Sequence, residues 1–300
     1  MLIFTSCSST KKVPAPAALR ASGVRARTLE GFARTWASRV EAAQGCHPAS
    51  ELYAGNAVAA ARSAAANLPA PLHFVSAGMS VVGPRARIPS YDLTVTTPSA
   101  APYPVAVGTA TTGEWWEALN GALGRKAPVA NIVRQHDDLV LVALPDSYLR
   151  MVQAEFLALG AKQRAKLRFI STSHTVVAPE LEGQMIRFDQ RFQSAEGAPR
   201  GAQASFVQRA LLHFVGLVKD NPANMDVSAQ RALVFRSLSN ASISAARSRV
   251  RLSDPEILRW IAEEDPTSER SRYSLLKSYR ERGFASEQQR FFNLIDQTRT

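Results

Sequence analysis

The sequence predicts an α/β protein: a mostly parallel, doubly wound sheet followed by a helical, basic C-terminal region. Three observations carry this. Short apolar runs recur through the first 190 residues and end in small or polar residues, as buried parallel strands do. Segments with helical spacing fill the gaps between them. From about Ala202 onward strand signals stop and short arginine-bearing helices take over. The expected division is an α/β domain over 1–220 and a helix-turn-helix-like region over 221–300. At 300 residues, with 46% hydrophobic and 20% charged side chains, the chain has the make-up of a folded protein with a sizeable core.

Met1 to Thr5 reads as the first strand and runs into the polar loop Ser6-Cys7-Ser8-Ser9-Thr10-Lys11-Lys12. Leu29, Phe32, Trp36 and Val40 share one face of a helix over Thr28 to Ala43. A second helix is expected over Ser50 to Asn67, with Ser50 as its cap. Leu72 to Val75 reads as a buried strand leading to Ser76-Ala77-Gly78. Further strands are expected at Leu139 to Leu144, Leu167 to Ser171 and Met185 to Phe188, with helices at Glu114 to Leu123 and Ser147 to Leu159. The helical remainder covers Gln203 to Val218, Ser228 to Leu238, Asp254 to Glu263, Glu269 to Arg282 and Ser286 to Gln297. Ser253-Asp254-Pro255-Glu256 has the chemistry of a helix start.

The net charge of +11 favours a polyanionic partner, since neutralising phosphates releases condensed counterions. Two cysteines, Cys7 and Cys46, exclude a disulfide framework. The opening residues lack the basic start and apolar run of a leader, and no segment approaches the roughly 18 apolar residues of a membrane span. A cytoplasmic protein with no membrane partner is therefore expected. The five histidines are scattered without ligand spacing, so neither a metal nor a cofactor is expected.

In a doubly wound sheet ligands lie beyond the carboxyl ends of the strands, where two polar loops are expected to meet. The first offers Cys7, Ser8 and Lys11, a set of hydroxyls, backbone N–H groups and a cation suited to a phosphate or a base edge. Without the required glycines it is not a Walker loop. The second runs from Ser76 and Gly78 to Ile88-Pro89-Ser90-Tyr91-Asp92. Here Gly78 allows close approach of a ligand to the backbone, Tyr91 offers a stacking face, and Asp92 offers a carboxylate. The same aspartate is equally suited to capping a turn. His174 follows a strand and is expected near the same edge or on a surface loop. In the tail, Arg272, Lys277, Arg280 and Arg282 are expected to meet nucleic-acid backbone, although Glu264, Asp265, Glu269, Glu281 and Glu287 lie among them.

Cys7-Ser8-x-x-Lys11, Glu51-Leu52-Tyr53-x-Gly55, Phe74-Val75-Ser76-Ala77-Gly78 and Ile88-Pro89-Ser90-Tyr91-Asp92 occur in an order that resembles one group of proteins. That group includes the YaaA-like peroxide-stress proteins and the core domain of archaeosine synthase. The resemblance covers mainly residues 1–95 and, more loosely, the region to about 220. The segments Leu275 to Arg280 and Glu287 to Phe291 are also similar to helical tails of the wider group.

The resemblance implies a uracil-DNA-glycosylase-like fold and an association with nucleobases. Some relatives in phage defence are glycosylases that excise modified bases such as glucosylated hydroxymethylcytosine. The Gly-Gln-Asp-Pro-Tyr motif of true uracil glycosylases is missing, and no proline follows His174, so only the pocket location carries over. The function expected is excision of a modified base from DNA, in antiphage defence. Asp92 would act at the sugar, Tyr53 and Tyr91 would border the base, and Cys7, Ser8, Lys11, Ser76, Gly78 and His174 would contact base or phosphate. The alternatives are a non-enzymatic DNA-binding stress protein and an enzyme modifying a deazaguanine in transfer RNA.

Overall fold

The computed structural model describes residues 1–43, 45–95, 110–219, 226–243 and 250–299. The chain divides into two compact units, Met1–Ile243 and Ser244–Thr300. The boundary expected at 220/221 falls outside the described residues.

The first unit is α/β. Its six-stranded sheet comprises β1 (Leu2–Ser6), β3 (Leu72–Ser76), β4 (Ser80–Val82), β6 (Val140–Ala143), β7 (Leu167–Thr172) and β8 (Met185–Phe188), in the order β4-β3-β1-β6-β7-β8. Every neighbouring pair is parallel except β3 with β4. All five residues of β1 and all four of β6 are buried, as central strands covered on both faces must be. A short antiparallel pair, β2 (His47–Pro48) with β5 (Arg87–Ile88), lies apart from the sheet.

Chain direction explains where a ligand can enter. Read as parallel strands alone, the order is 2-1-3-4-5, which reverses between β1 and β6. At such a switch point the connections from neighbouring strands leave in opposite directions and open a crevice. α3 (Asn56–Asn67) packs on β1 and β3 and closely against α9 (Phe206–Val218), which packs on β6 and β7. A second packed group contains α1 (Leu29–Ala42), α4 (Thr112–Ala122), α5 (Pro128–Arg134) and α6 (Asp146–Leu157), with the short α8 (Pro179–Glu182) against α6 and the short α7 (Ala161–Ala165) leading into β7. α10 (Val227–Ser237) packs on β8 and α9, so it belongs to the first unit although sequence alone grouped it with the basic tail.

Two elements depart from the sequence reading. The helix expected over Ser50 to Asn67 is two helices, α2 (Ala49–Leu52) and α3, broken where Gly55 takes φ +95°. That conformation suits glycine and stops a helix from running through. The loop expected after β3 is a tight hairpin into β4, so the strand–helix alternation fails there.

The second unit packs α11 (Asp254–Glu264), α12 (Arg272–Glu281) and α13 (Gln288–Thr298) around Ile257, Trp260, Leu275, Tyr279, Phe291 and Ile295. The proposed helix start is present: Ser253 and Glu256 form a capping box with Pro255 in the first turn. Strand pairing does not stop at residue 202, since β9 (Val250–Arg251) pairs in parallel with β10 (Phe284–Ala285). A helix-turn-helix joins its helices by about three to four residues. Here seven residues, Asp265 to Ser271, separate α11 from α12. Among the described residues no helix is long and apolar enough to cross a membrane.

Candidate functional site

At the switch point a cleft of about 670 Å³ opens beyond the carboxyl ends of β1, β6 and β7. Ser6, Cys7 and Ser8 line it from β1, Pro145 and Asp146 from β6, and Thr172 from β7. Ser9, Thr10, Ala54 to Ala57, Thr94, Tyr148 and Ala202 to Gln208 complete the wall. The size lies within the range of about 300–1,000 Å³ usual for small-molecule sites.

Three helices begin at this cleft. Gly55 precedes α3, Pro145 precedes α6 and Ser205 precedes α9, and none of the three starts carries a side-chain cap. At α3 and α6 the first N–H groups have no side-chain acceptor at the helix start, whereas α9 runs on from a 3-10 turn, Gln203–Ser205, and its first N–H, that of Phe206, already donates to Gln203 O. The helix dipoles direct partial positive charge toward the same space. Such a space favours an anion. Among the described residues one carboxylate lines it, that of Asp146 in the first turn of α6, whose Oδ1 accepts from Thr175 Oγ1 at 2.8 Å. Asp146 was not singled out from sequence. The usable signal was its position directly after an apolar strand and a proline, at a strand's carboxyl end.

Of the candidate residues on the first loop, Cys7 and Ser8 line the cleft, with Ser9 and Thr10 beside them. The Cys7 thiol lies 3.2 Å from the Tyr148 hydroxyl, and its backbone N–H donates to Val75 O at 2.9 Å. Ser8 Oγ accepts from Thr10 N at 3.0 Å. Lys11 does not line the cleft; its Nζ donates to Ser8 O at 3.0 Å and sits 4.1 Å from the centre of the Tyr91 ring. Burial holds its ammonium below the usual lysine range, against the opposing pull of Cys7 and Asp92. Lys11 therefore braces the loop from behind.

The second loop is part of the core, which corrects most of its expected roles. Tyr91 and Tyr53 are fully buried and share a 2.9 Å hydrogen bond, so neither presents a face to a base. Ser76 Oγ bonds the Tyr91 hydroxyl at 2.5 Å and accepts from Gly78 N and Met79 N. Gly78 does make room, but for the Tyr91 ring: a Cβ there would lie 2.8 Å from two ring carbons. The indoles of Trp36 and Trp115 donate to Gly78 O and Ala77 O at 2.8 and 2.9 Å. Burial raises both tyrosine pKa values far above the ordinary range, with Cys7 pushing the same way.

Asp92 is exposed and does not line the cleft. Its backbone is a bridge, with N donating to Leu19 O at 2.8 Å and O accepting from Ala21 N at 2.9 Å. His174 is likewise exposed and away from the cleft wall.

In the second unit, three of the four basic residues expected on nucleic acid are paired. Arg272 bonds Asp296, Lys277 approaches Glu281 and Arg282 bonds Glu264, at 3.1, 3.9 and 2.7 Å. Arg280 pairs with no carboxylate among the described residues and reaches Ser286 O at 3.4 Å. It lines a separate cleft of about 480 Å³ with Arg290, another basic residue of the tail helices, and with Arg251, which sequence did not single out. Compared with protein-family models, with curated proteins and with solved structures, the chain gives no match.

Proposed function

We propose that the first unit is an N-glycosidic-bond hydrolase that receives a flipped, modified nucleobase of DNA in the cleft at the switch point. The observation that carries the reading is the pairing of two helix starts without side-chain caps, those of α3 and α6, with Asp146, the one carboxylate lining the space among the described residues. A deoxynucleotide brings an anionic phosphate for the helix starts and a base for the floor. Cleavage then develops negative charge on the leaving base and positive charge on the sugar. Helix N-termini offset the first, and the Asp146 carboxylate stabilises the second.

Water attacks C1′ as the glycosidic electrons pass to the base. The proton that water gives up to Asp146 ends on the departing base, leaving an abasic sugar and a neutral base. The cleft has more room than a bare pyrimidine needs, which agrees with a base carrying a substituent. The resemblance of the early motifs to nucleobase-handling proteins with a uracil-DNA-glycosylase-like fold adds to the reading. So does the net charge of +11, which suits DNA.

The test is mass spectrometry of bases released from modified phage DNA and from unmodified DNA. Release of a modified base, abolished in Asp146→Asn, is the expected result. Salt-sensitive DNA binding with no base released from any substrate would favour a non-enzymatic binding protein instead.

A further inference from the structure

Gln208 stands on the first turn of α9 and lines the cleft, yet only 1% of its surface is exposed. It therefore forms part of the floor. Its Nε2 faces three oxygens: Thr5 Oγ1 at 3.4 Å, Ser6 Oγ at 3.3 Å and the Ala143 carbonyl at 3.4 Å. The carbonyl fixes which end is which, because only the amino end of the amide can donate to it. The other end, Oε1, is buried and has no hydrogen-bond partner among the described residues.

Such an atom carries a desolvation cost that a leucine of similar size would avoid. The oxygens of Thr5, Ser6 and Ala143 all stand at the Nε2 end of the amide, which leaves Oε1 as the acceptor that the fold does not use. A ligand seated there must bring a donor. An exocyclic amino group brings an N–H for Oε1.

We propose that Gln208 is the specificity-determining residue of the cleft, its Oε1 accepting from the amino group of an aminopyrimidine such as a modified cytosine. This rests on the reading of the cleft as a nucleobase site. A site built around a buried acceptor penalises a ligand that lacks the matching donor, because the acceptor is then left unpaired in the complex.

The experiment titrates the whole protein with the free bases 5-hydroxymethylcytosine and 5-hydroxymethyluracil by calorimetry. The parent protein should prefer the amino base by about tenfold or more. Gln208→Leu should lose that preference while melting at the same temperature or higher, since an unpaired buried group is gone. Gln208→Glu retains an acceptor and should retain the preference, which guards against a leucine variant that fails to fold.

Equal affinities in the parent protein, preference for the oxo base, or an unchanged preference in Gln208→Leu would each overturn the assignment. The last is the outcome if Oε1 serves only to hold a water molecule. Binding of either base without dependence on Gln208 would leave the nucleobase reading standing. Absence of both base binding and base release would remove both.

Discussion

Two polar loops follow adjacent strands of the same sheet, yet only one meets the cleft. The loop after β1 contributes Cys7 and Ser8 to its wall, while the loop after β3 is held inside by Trp36, Trp115 and Tyr91. The difference is topological. β1 adjoins the reversal in strand order, whereas β3 turns back at once into antiparallel β4. Polar composition marks both loops alike; position relative to the switch point decides which one a ligand can reach.

The carboxylates provide the sharpest way to break this comparison. Asp146 stands at the carboxyl end of β6 in the cleft, while Asp92 is exposed at the end of the second loop. Asp146→Asn should lower base release by ~10²–10⁴-fold, the usual range for a general acid or base. Asp92→Asn should leave release within about twofold. Release measured under single turnover checks both, and the reverse order would return the chemistry to the second loop.

Stability should show the opposite ranking. Gly78→Ala drives a methyl group into the Tyr91 ring, flanked by Trp36 at 3.2 Å, with backbone fixed on both sides. A cost of ~1–3 kcal/mol is expected from overpacking of this kind. Ser8→Ala, at the cleft edge, should stay within ~0.5 kcal/mol. Urea unfolding monitored by tryptophan fluorescence measures both, since Trp36 and Trp115 report on this region directly.

These contrasts also mark what the sequence made legible. Period and polarity located all five parallel strands and most helices to within a few residues, because a strand buried on both faces must be continuously apolar. The same logic pointed to the carboxyl end of the sheet, where the cleft lies. It missed Asp146 and Gln208, whose importance comes from the strand order and from α9 crossing β6 and β7. Tyr91 was misjudged for the same reason. An aromatic beside a glycine reads as an open platform until Lys11, Tyr53 and Ser76 are seen to enclose it.

A smaller effect separates the arginines of the second unit. Arg280 and Arg251 face a cleft, while Arg272 is bonded to Asp296. If the unit touches DNA backbone, Arg280→Ala should reduce the slope of log affinity against log salt by about one contact. Arg272→Ala should change it less, because its charge is already compensated. Fluorescence anisotropy with a duplex at several salt concentrations distinguishes the two.

The smallest expected effect is on pH-dependent stability, and it spans both sides of the comparison. His73 lies on β3 and His213 on α9, and burial lowers the pKa of each, with His136 adding to the shift of His73. Each ring packs against aromatic neighbours: His73 on Phe4 at 5.8 Å, and His213 on Phe192 at 5.6 Å. The unfolded chain binds protons near pH 6.5, above the pKa values in the fold, so below that pH it holds more protons than the folded chain. Stability from these groups is therefore complete above about pH 6.5 and declines as the pH falls through that value toward the folded pKa values. Melting should be a few degrees lower at pH 5.5 than at pH 7.5. His213→Phe, which fits the phenylalanine cluster and cannot titrate, should flatten that dependence although it gives up the 3.2 Å contact with Ser237. A slope unchanged in both His213→Phe and His73→Phe would assign the acid sensitivity to other groups.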